Sequence, residues 1–215
     1  MLTRIAAKPA SDGLDPVKLA QEAAKIAIDN NFDGVDVDWE DFVYWGSHSD
    51  DDTFNWLDKF QTELAAQLKG NGNDMIISHA PVAWWFTKEK AAWVQFNKKH
   101  AETIDFYNMQ FYNGKHGYNT CEDNFTSKFG DDKDPSVAHL IEMGVSADKI
   151  VMGKQFDQQP QDLWSGDDLG KCVKRGADEF KTPIAGVMWW KTNITQAEFE
   201  VSTKWVSDFK TAAGY

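Results

Sequence analysis

The segment Asp33-Gly34-Val35-Asp36-Val37-Asp38-Trp39-Glu40 alternates acidic residues with apolar ones. Successive side chains of a β-strand point to opposite faces, so Asp36, Asp38 and Glu40 are predicted to line one face at spacings of roughly 6–7 Å. The two valines and the tryptophan then share the other face, which we expect to pack against helices. The segment therefore predicts a strand over residues 32–39 with a row of carboxylates on its concave side.

This row of carboxylates is the main candidate for chemistry in the sequence. Three buried acids are costly unless they share protons or hydrogen bonds, and like charges at this spacing favour protonation of at least one of them. A general acid that works near neutral pH needs such a group. Glu40 ends the strand on the side where barrel enzymes build active sites, so it is the candidate proton donor. Two alternatives stay open: a solvated acidic face on an edge strand, and a metal site.

The composition argues against several other classes of function. The 215 residues carry a net charge of −12, which is the wrong sign for binding nucleic acid or an anionic membrane. No apolar run approaches the ~20 residues that span a bilayer, and the histidines and cysteines show no metal-ligand spacing, so no metal is expected. Ten tryptophans offer flat faces that suit sugar rings, although most are expected to fill the core.

Strand-like and helix-like segments alternate along the chain, which we interpret as a single domain over 1–215. A helix is predicted to begin at Asp15 and Pro16, and the last helix to bury Phe199, Val206 and Phe209. Strands are predicted over 32–39, 75–78, 104–111, 150–153 and 184–190. This alternation predicts a parallel sheet, either doubly wound or part of an eight-stranded β/α barrel. The absence of a G-x-G-x-x-G fingerprint weakens the doubly wound alternative.

Four segments resemble one enzyme family. The pattern D-x-x-D-x-D-x-E over 33–40 is similar to the signature of glycoside hydrolase family 18, the chitinases and endo-β-N-acetylglucosaminidases. The segments SHAPV at 78–82, MQFYN at 109–113 and GVMWW at 186–190 resemble the family's later barrel strands in order and spacing. From about residue 12 onward the chain is most similar to compact fungal members. The resemblance implies an α/β fold of the (β/α)8 TIM-barrel type, truncated to about five βα units (strands 4–8), with strands 1–3 absent or a remnant.

The resemblance also implies a mechanism, which is retaining hydrolysis assisted by the substrate's own acetamido group. Glu40 would protonate the departing glycosidic oxygen and then activate water. Asp38 would accept a hydrogen bond from the acetamido N–H and stabilise the cationic intermediate, and Asp36 would couple to Asp38. The hydroxyl of Tyr112 would steady the acetamido carbonyl. The substrates implied are chitin oligomers or the chitobiose core of N-glycans, cleaved at β-1,4 linkages without a cofactor.

Four residues are candidate substrate-binding positions. Gln110 shares the strand face of Tyr112 by alternation and Asn113 follows Tyr112, so both are candidate sugar contacts, and the resemblance makes Trp190 the floor beneath the reacting sugar. Trp85 would extend the sugar cleft. Core packing is the alternative for the aromatic positions and for Gln110.

Two observations bear on the compartment in which the protein works. Cys121 and Cys172 resemble a pair in the compact fungal enzymes, so the resemblance implies a disulfide. The even cysteine count, together with N-glycosylation triplets at 124–126 and 193–195, favours a secreted protein, although the chain as given shows no signal peptide.

Different classes of function compete for this sequence. The first is the glycosidase, and the second is a non-hydrolytic carbohydrate-binding or interaction protein on a truncated barrel. A weaker third is an unrelated acid-rich barrel enzyme that uses a divalent metal. Residues 1–7 could at most be a remnant of the third barrel strand. Because missing strands leave edges open to pairing, a homodimer or a separate complementary fragment is expected as a partner besides the N-acetylglucosamine oligosaccharide.

Overall fold

The computed structural model describes residue 10 and residues 12–40, 50–70, 72–88, 91–130, 133–155, 164–190 and 196–215. The helices are α1 (Pro16–Asp29), α2 (Asp50–Leu68), α3 (Ala91–His100), α4 (Cys121–Phe125), α5 (Val137–Glu142), α6 (Gly166–Asp178) and α7 (Gln196–Ala213). The strands are β1 (Gly34–Val37), β2 (Ile76–His79), β3 (Phe106–Gln110), β4 (Ile150–Gln155) and β5 (Gly186–Trp190). Short 3-10 helices lie at Ala83–Trp85 and Ala147–Lys149.

The strands form a parallel sheet whose order follows the chain. Over the described ranges, five strands pair in the order β1-β2-β3-β4-β5, and helices separate successive strands. A doubly wound sheet reverses its strand order at a switch point, whereas a β/α barrel keeps the order of the sequence. The sheet therefore confirms the predicted α/β class and corresponds to five βα units of a truncated barrel.

Three of the strands are shorter than predicted, β4 is longer, and one α-helix was not predicted. β1 and β3 each lose residues at both ends relative to the expected ranges 32–39 and 104–111. The additional helix, α4, is a single turn in a loop that contains glycines, and Thr120 caps it by accepting the N–H of Asp123. The strand remnant expected at residues 1–7 lies outside the described residues.

The chain divides into two compact units. The first consists of Met1–Pro81 and Trp85–Tyr107, and the second of Val82–Trp84 and Asn108–Tyr215. Strand β3 begins in the first unit and ends in the second. The single domain expected over 1–215 stays a prediction.

In the first unit, α1 and α2 pack against each other and against their strands. The carboxylate of Asp15 accepts the N–H groups of Val17 and Lys18, and Pro16 begins α1, as predicted. The buried stripes of the two helices are Ala20, Ala23, Ala24 and Ala27 on α1, and Leu57, Phe60, Leu64 and Leu68 on α2. These apolar stripes form the core behind β1.

The close pairing of β1 with β2 depends on Gly34. The register runs from Gly34 opposite Ile76 to Val37 opposite His79. A Cβ atom at position 34 would lie 2.0 Å from the carbonyl oxygen of Ile76, so no side chain fits there. The glycine therefore sets the alignment of the strand that carries the acidic residues.

In the second unit, α6 packs closely against α7. At Gly170 an added Cβ would lie 2.6 Å from the carbonyl oxygen of Phe209, so the two helix backbones nearly touch. This contact buries Trp205 and Phe209, while Phe199 is 61% exposed and Val206 is 42% exposed. The prediction that Phe199 and Val206 are buried is wrong, because the approach of α6 selects a different face of α7.

Candidate active site

The acidic segment keeps the alternation of a strand beyond the end of β1. From position 35 to position 40, the apolar side chains are buried, and Asp36, Asp38 and Glu40 between them are half-buried. The three carboxylates therefore share one face, and the opposite face belongs to the core. In the described sheet β1 is an edge strand that pairs with β2, but its core face is packed and its acidic face is half-buried, so the segment is not fully solvated.

One of the acids has a defined partner on the neighbouring strand. Ser78 lies directly opposite Asp36 in the β1–β2 register. Its hydroxyl donates a hydrogen bond to Oδ1 of Asp36 at an Oγ–Oδ1 distance of 2.5 Å. The hydroxyl of Ser78 thus holds one oxygen of the first carboxylate in the row.

An aromatic cluster in the first unit holds the opposite face of the acidic segment. The ring of Trp39 stacks on Trp56 with centroids 5.4 Å apart, and Trp56 stacks in turn on Phe60. The ring of Trp93 packs against Trp39 at a centroid distance of 6.2 Å. Since Trp39 separates Asp38 from Glu40, this packing fixes the part of the backbone from which both carboxylates project.

Trp85 does not offer a surface to a sugar. Its side chain is 0% exposed, and its ring stacks on Trp93 at a centroid distance of 5.5 Å. The role expected for Trp85 as an extension of the sugar cleft is therefore corrected to core packing, because both ring faces are covered.

His79 lies on β2, the strand paired with the acidic strand, but its side chain is on the other face of the sheet. It pairs with Val37 in the register and is fully buried beside Phe96 and Tyr107. Its Nε2 is 2.9 Å from Oε1 of Gln61. Burial lowers the pKa of His79 to about 3, and the nearby His100 adds to this effect. His79 is therefore a neutral core residue and takes no part in proton transfer at the carboxylates.

Three of the predicted substrate residues follow one another where β3 ends. Gln110 and Tyr112 are almost fully buried, and Asn113 is exposed. Asn113 has a φ of +55°, a left-handed conformation that asparagine adopts more readily than most residues. Strand β3 ends at Gln110, and the turn at Asn113 follows directly after Tyr112.

The two tryptophans at the end of β5 have different surroundings. The ring of Trp189 packs edge-on against Trp205 of α7 at a centroid distance of 4.1 Å. Because side chains alternate along a strand, Trp190 points to the opposite face. Trp190 is half-buried and lies opposite Gln155 in the β4–β5 register. Trp189 therefore packs against α7, Trp190 projects from the opposite face, and both are half-buried.

Gln155 is a residue of interest that was not predicted from the sequence. It ends β4 beside Trp190 and is 7% exposed. Its side-chain oxygen is buried and has no hydrogen-bond partner among the described residues. A buried polar atom without a partner is unfavourable, so its position beside Trp190 is notable. Neither periodicity nor a motif marks it, because only the strand register reveals its neighbour.

The disulfide implied by the resemblance is present. Cys121 and Cys172 are joined by an S–S bond of 2.05 Å, which links α4 to α6. The asparagine of the first N-glycosylation triplet, Asn124, is 0% exposed and donates to the carbonyl oxygens of Tyr118 and Thr120. It is therefore not an acceptor in the folded protein. The second triplet lies outside the described residues.

The described part of the chain lacks two features. It contains no group of three or more His, Cys, Asp or Glu residues placed to hold a metal ion. No helix in it is both long enough and apolar enough to cross a membrane.

The fold and its strand order define an α/β protein of the β/α-barrel type. The family model described as glycosyl hydrolases family 18 matches residues 8–211. The chain therefore belongs to glycoside hydrolase family 18, which confirms the resemblance. No curated protein matches the chain.

Solved structures share the fold at low sequence identity. A GH18 chitinase from Pseudoalteromonas aurantia is 21% identical with a TM-score of 0.71, and the match covers 92% of this chain and 68% of that chain. A fungal endo-β-N-acetylglucosaminidase of family 18 is 15% identical with a TM-score of 0.57, over 87% of this chain and 59% of that chain. YKL-39, solved in the presence of chitooligosaccharides, is 12% identical with a TM-score of 0.60, over 93% and 74%. The matched region thus spans roughly two thirds of these proteins.

Proposed function

We propose that the protein is a glycosidase that cleaves β-1,4 linkages at N-acetylglucosamine, in chitin oligomers or in the chitobiose core of N-glycans. One observation carries the proposal: Asp36, Asp38 and Glu40 share a half-buried face in a chain of family 18. The opposite face of that segment is locked in the core, so the carboxylates project from a fixed backbone. Carboxyl groups held at fixed positions can donate protons to a bound substrate and accept protons from it.

The reaction proposed is retention with help from the substrate. Most retaining glycosidases use two carboxylates about 5–5.5 Å apart, with one as nucleophile, but family 18 enzymes use the substrate's own acetamido group. The acetamido oxygen attacks the anomeric carbon as the bond from that carbon to the glycosidic oxygen breaks. The leaving oxygen takes the proton of Glu40. Water then attacks the anomeric carbon, Glu40 takes its proton, and the acetamido group is released.

The two aspartates of the row stabilise the positive charge that develops in this reaction. Asp38 accepts a hydrogen bond from the acetamido N–H, and its negative charge stabilises the oxazolinium intermediate. Asp36, next in the row, couples to Asp38 and tunes its protonation. The hydrogen bond from Ser78 supports an ionised Asp36.

The remaining proposed sugar contacts are residues at strand ends. Tyr112 holds the acetamido carbonyl, and Gln110 and Asn113 bind sugar hydroxyls. Trp190 forms the floor beneath the reacting ring, since an indole face is large, apolar and suited to a sugar. These roles are supported by the position of each residue at or just after the end of its strand, where barrel enzymes bind substrate.

The proposed compartment is extracellular. The Cys121–Cys172 disulfide supports this proposal, because disulfides persist in oxidising compartments and are rare in the cytosol. A homodimer or complementary fragment stays a prediction, which the mass of the protein in solution tests.

A turnover assay with a matched control tests the proposed function. The purified protein is incubated with chitooligosaccharides and with a high-mannose glycopeptide, alongside Glu40→Gln and Glu142→Gln. Glu142 is an exposed residue at the end of α5, so its change controls for a lost surface charge. We expect turnover by the natural chain and by Glu142→Gln, and none by Glu40→Gln. Binding without turnover in all three proteins would instead favour a carbohydrate-binding function.

A further inference from the structure

We infer that Ser78 is the positioning residue for the acidic pair Asp36–Asp38: its hydroxyl holds Asp36 ionised and in one orientation. This inference rests on the proposed function for its catalytic consequence, although the interaction itself is independent of substrate. Ser78 does not belong to the row of acids, and the sequence analysis named it only as the first residue of the SHAPV segment.

The geometry shows that the contact is built into the sheet. Ser78 and Asp36 are directly opposite each other in a parallel register that Gly34 permits by its close approach to Ile76. Directly opposed residues of paired strands project from the same face of the sheet. The hydroxyl therefore reaches the carboxylate by strand pairing alone, at 2.5 Å from Oδ1.

The burial of Ser78 makes the hydrogen bond strong and specific. Ser78 is only 2% exposed, so water competes little for its hydroxyl. A hydrogen bond to an ionised oxygen in such surroundings is stronger than a neutral one and favours the charged form of the acceptor. The bond also fixes the torsion of the Asp36 side chain, because it engages a particular oxygen.

Other carboxylates of the row and residues of β2 lie near Asp36. Along its own segment, Asp38 is two residues away on the same face and Glu40 is two further. On β2, the strand paired with it, Ser78 is opposite, and the titratable neighbour His79 lies on the other face beside Val37. The uncharged donor Ser78 thus faces a carboxylate that has two others along its row. It biases a shared proton away from Asp36 and toward Asp38.

In the proposed reaction, this bias decides the state of Asp38. A proton that the two aspartates share moves to Asp36 when Asp38 becomes fully ionised. Ser78 sets how readily Asp36 accepts that proton and keeps its carboxylate in reach of Asp38. It acts through Asp36 and does not contact the sugar.

The test compares Ser78→Ala, which removes the hydroxyl, with Ser78→Thr, which restores it. The first readout is the carboxyl ¹³C titration of Asp36 in protein labelled at aspartate, with Asp36→Asn to assign its signal. We expect the Asp36 midpoint to rise by about one pH unit in Ser78→Ala and to return in Ser78→Thr. Thermal unfolding of each variant shows that it is folded.

The second readout is the pH profile of kcat on chitooligosaccharides. In Ser78→Ala, Asp36 takes up the shared proton more readily and Asp38 is ionised at lower pH, so the acidic limb of kcat is expected to move to lower pH by up to about one unit, with KM nearly unchanged. In an Asp36→Asn background, Ser78→Ala should cause no further change in the profile, because the serine acts through that carboxylate.

The outcomes separate the two proposals. An unmoved Asp36 midpoint in folded Ser78→Ala overturns the inference, even if the natural chain hydrolyses the substrate. A natural chain that turns over no substrate, with a moved midpoint, overturns the proposed function and leaves the role of Ser78 toward Asp36 supported.

Discussion

Replacing His79 with leucine is predicted to make the stability of the protein less sensitive to acid. His79 is fully buried among aromatic rings, and burial lowers its pKa to about 3 in the folded protein. In the unfolded chain the same group titrates near 6.5. Protonation therefore favours the unfolded state: the stabilisation is complete above pH 6.5 and is lost progressively as the pH falls toward 3.

Linkage gives the size of this effect. Between pH 7 and pH 5, the unfolded chain binds nearly one proton at position 79 that the folded chain does not, which costs about 2 kcal/mol of stability. The His79→Leu variant has no imidazole at this position to bind the proton. It is expected to be less stable at pH 7, because the contact of the ring with Gln61 is lost, but to lose about 2 kcal/mol less on going to pH 5.

The assay is urea unfolding at pH 5, 6 and 7. Phe96→Leu is the matched control, because it disturbs the same cluster and keeps the imidazole. The pKa of His100 is also lowered, chiefly by burial and against the pull of Asp58, but His100 is present in all three proteins and its contribution largely cancels. Equal losses of stability in His79→Leu and the natural chain would refute the reasoning.

Three further predictions concern other parts of the molecule. Replacing Cys121 and Cys172 together by alanine should lower the free energy of unfolding by about 4 kcal/mol, by the chain-entropy estimate for a loop of this length, and the double variant should no longer respond to reductant. Trp190→Ala should weaken oligosaccharide binding, measured by calorimetry, with little effect on stability. Trp189→Ala should instead lower the free energy of unfolding by about 2–3 kcal/mol, because the ring of Trp189 packs on α7. The reverse pattern would contradict the assignment of the two rings to opposite faces of β5. Gln155→Met should be neutral or raise the free energy of unfolding by about 1 kcal/mol, since it removes a buried oxygen that lacks a described partner, and a clear destabilisation in urea would show that the oxygen is satisfied.

The sheet and its acidic strand could be predicted because their signals are local. The period of two between Asp36 and Glu40 separates carboxylates from buried residues without knowledge of any partner strand. The capped start of α1 at Asp15 and Pro16 is equally local, since the capping contacts span only three residues. Alternation of strands and helices then indicated a parallel sheet, and the structure has one.

The parts that failed depend on partners distant in sequence. Phe199 and Val206 were expected to be buried, but the close approach of α6 at Gly170 turns another face of α7 inward. Trp85 was expected in a sugar cleft, but the ring of Trp93 covers it. A hydrophobic pattern shows that a residue is suited to burial, but it does not identify the residues that bury it.

The same limit applies to the candidate site. Ser78 becomes interesting only when the β1–β2 register sets it against Asp36. Gln155 likewise becomes interesting only beside Trp190. Each position looks ordinary in the sequence, because a single polar residue in a strand carries no information about the residue across from it.

The most direct measurement of the central claim is proton NMR of the first product formed from chitotetraose, by the natural chain and by Glu40→Gln. Substrate-assisted retention with Glu40 as proton donor predicts that the β-anomer appears first with the natural chain and that Glu40→Gln gives no product. Initial formation of the α-anomer, or undiminished turnover by Glu40→Gln, would contradict it.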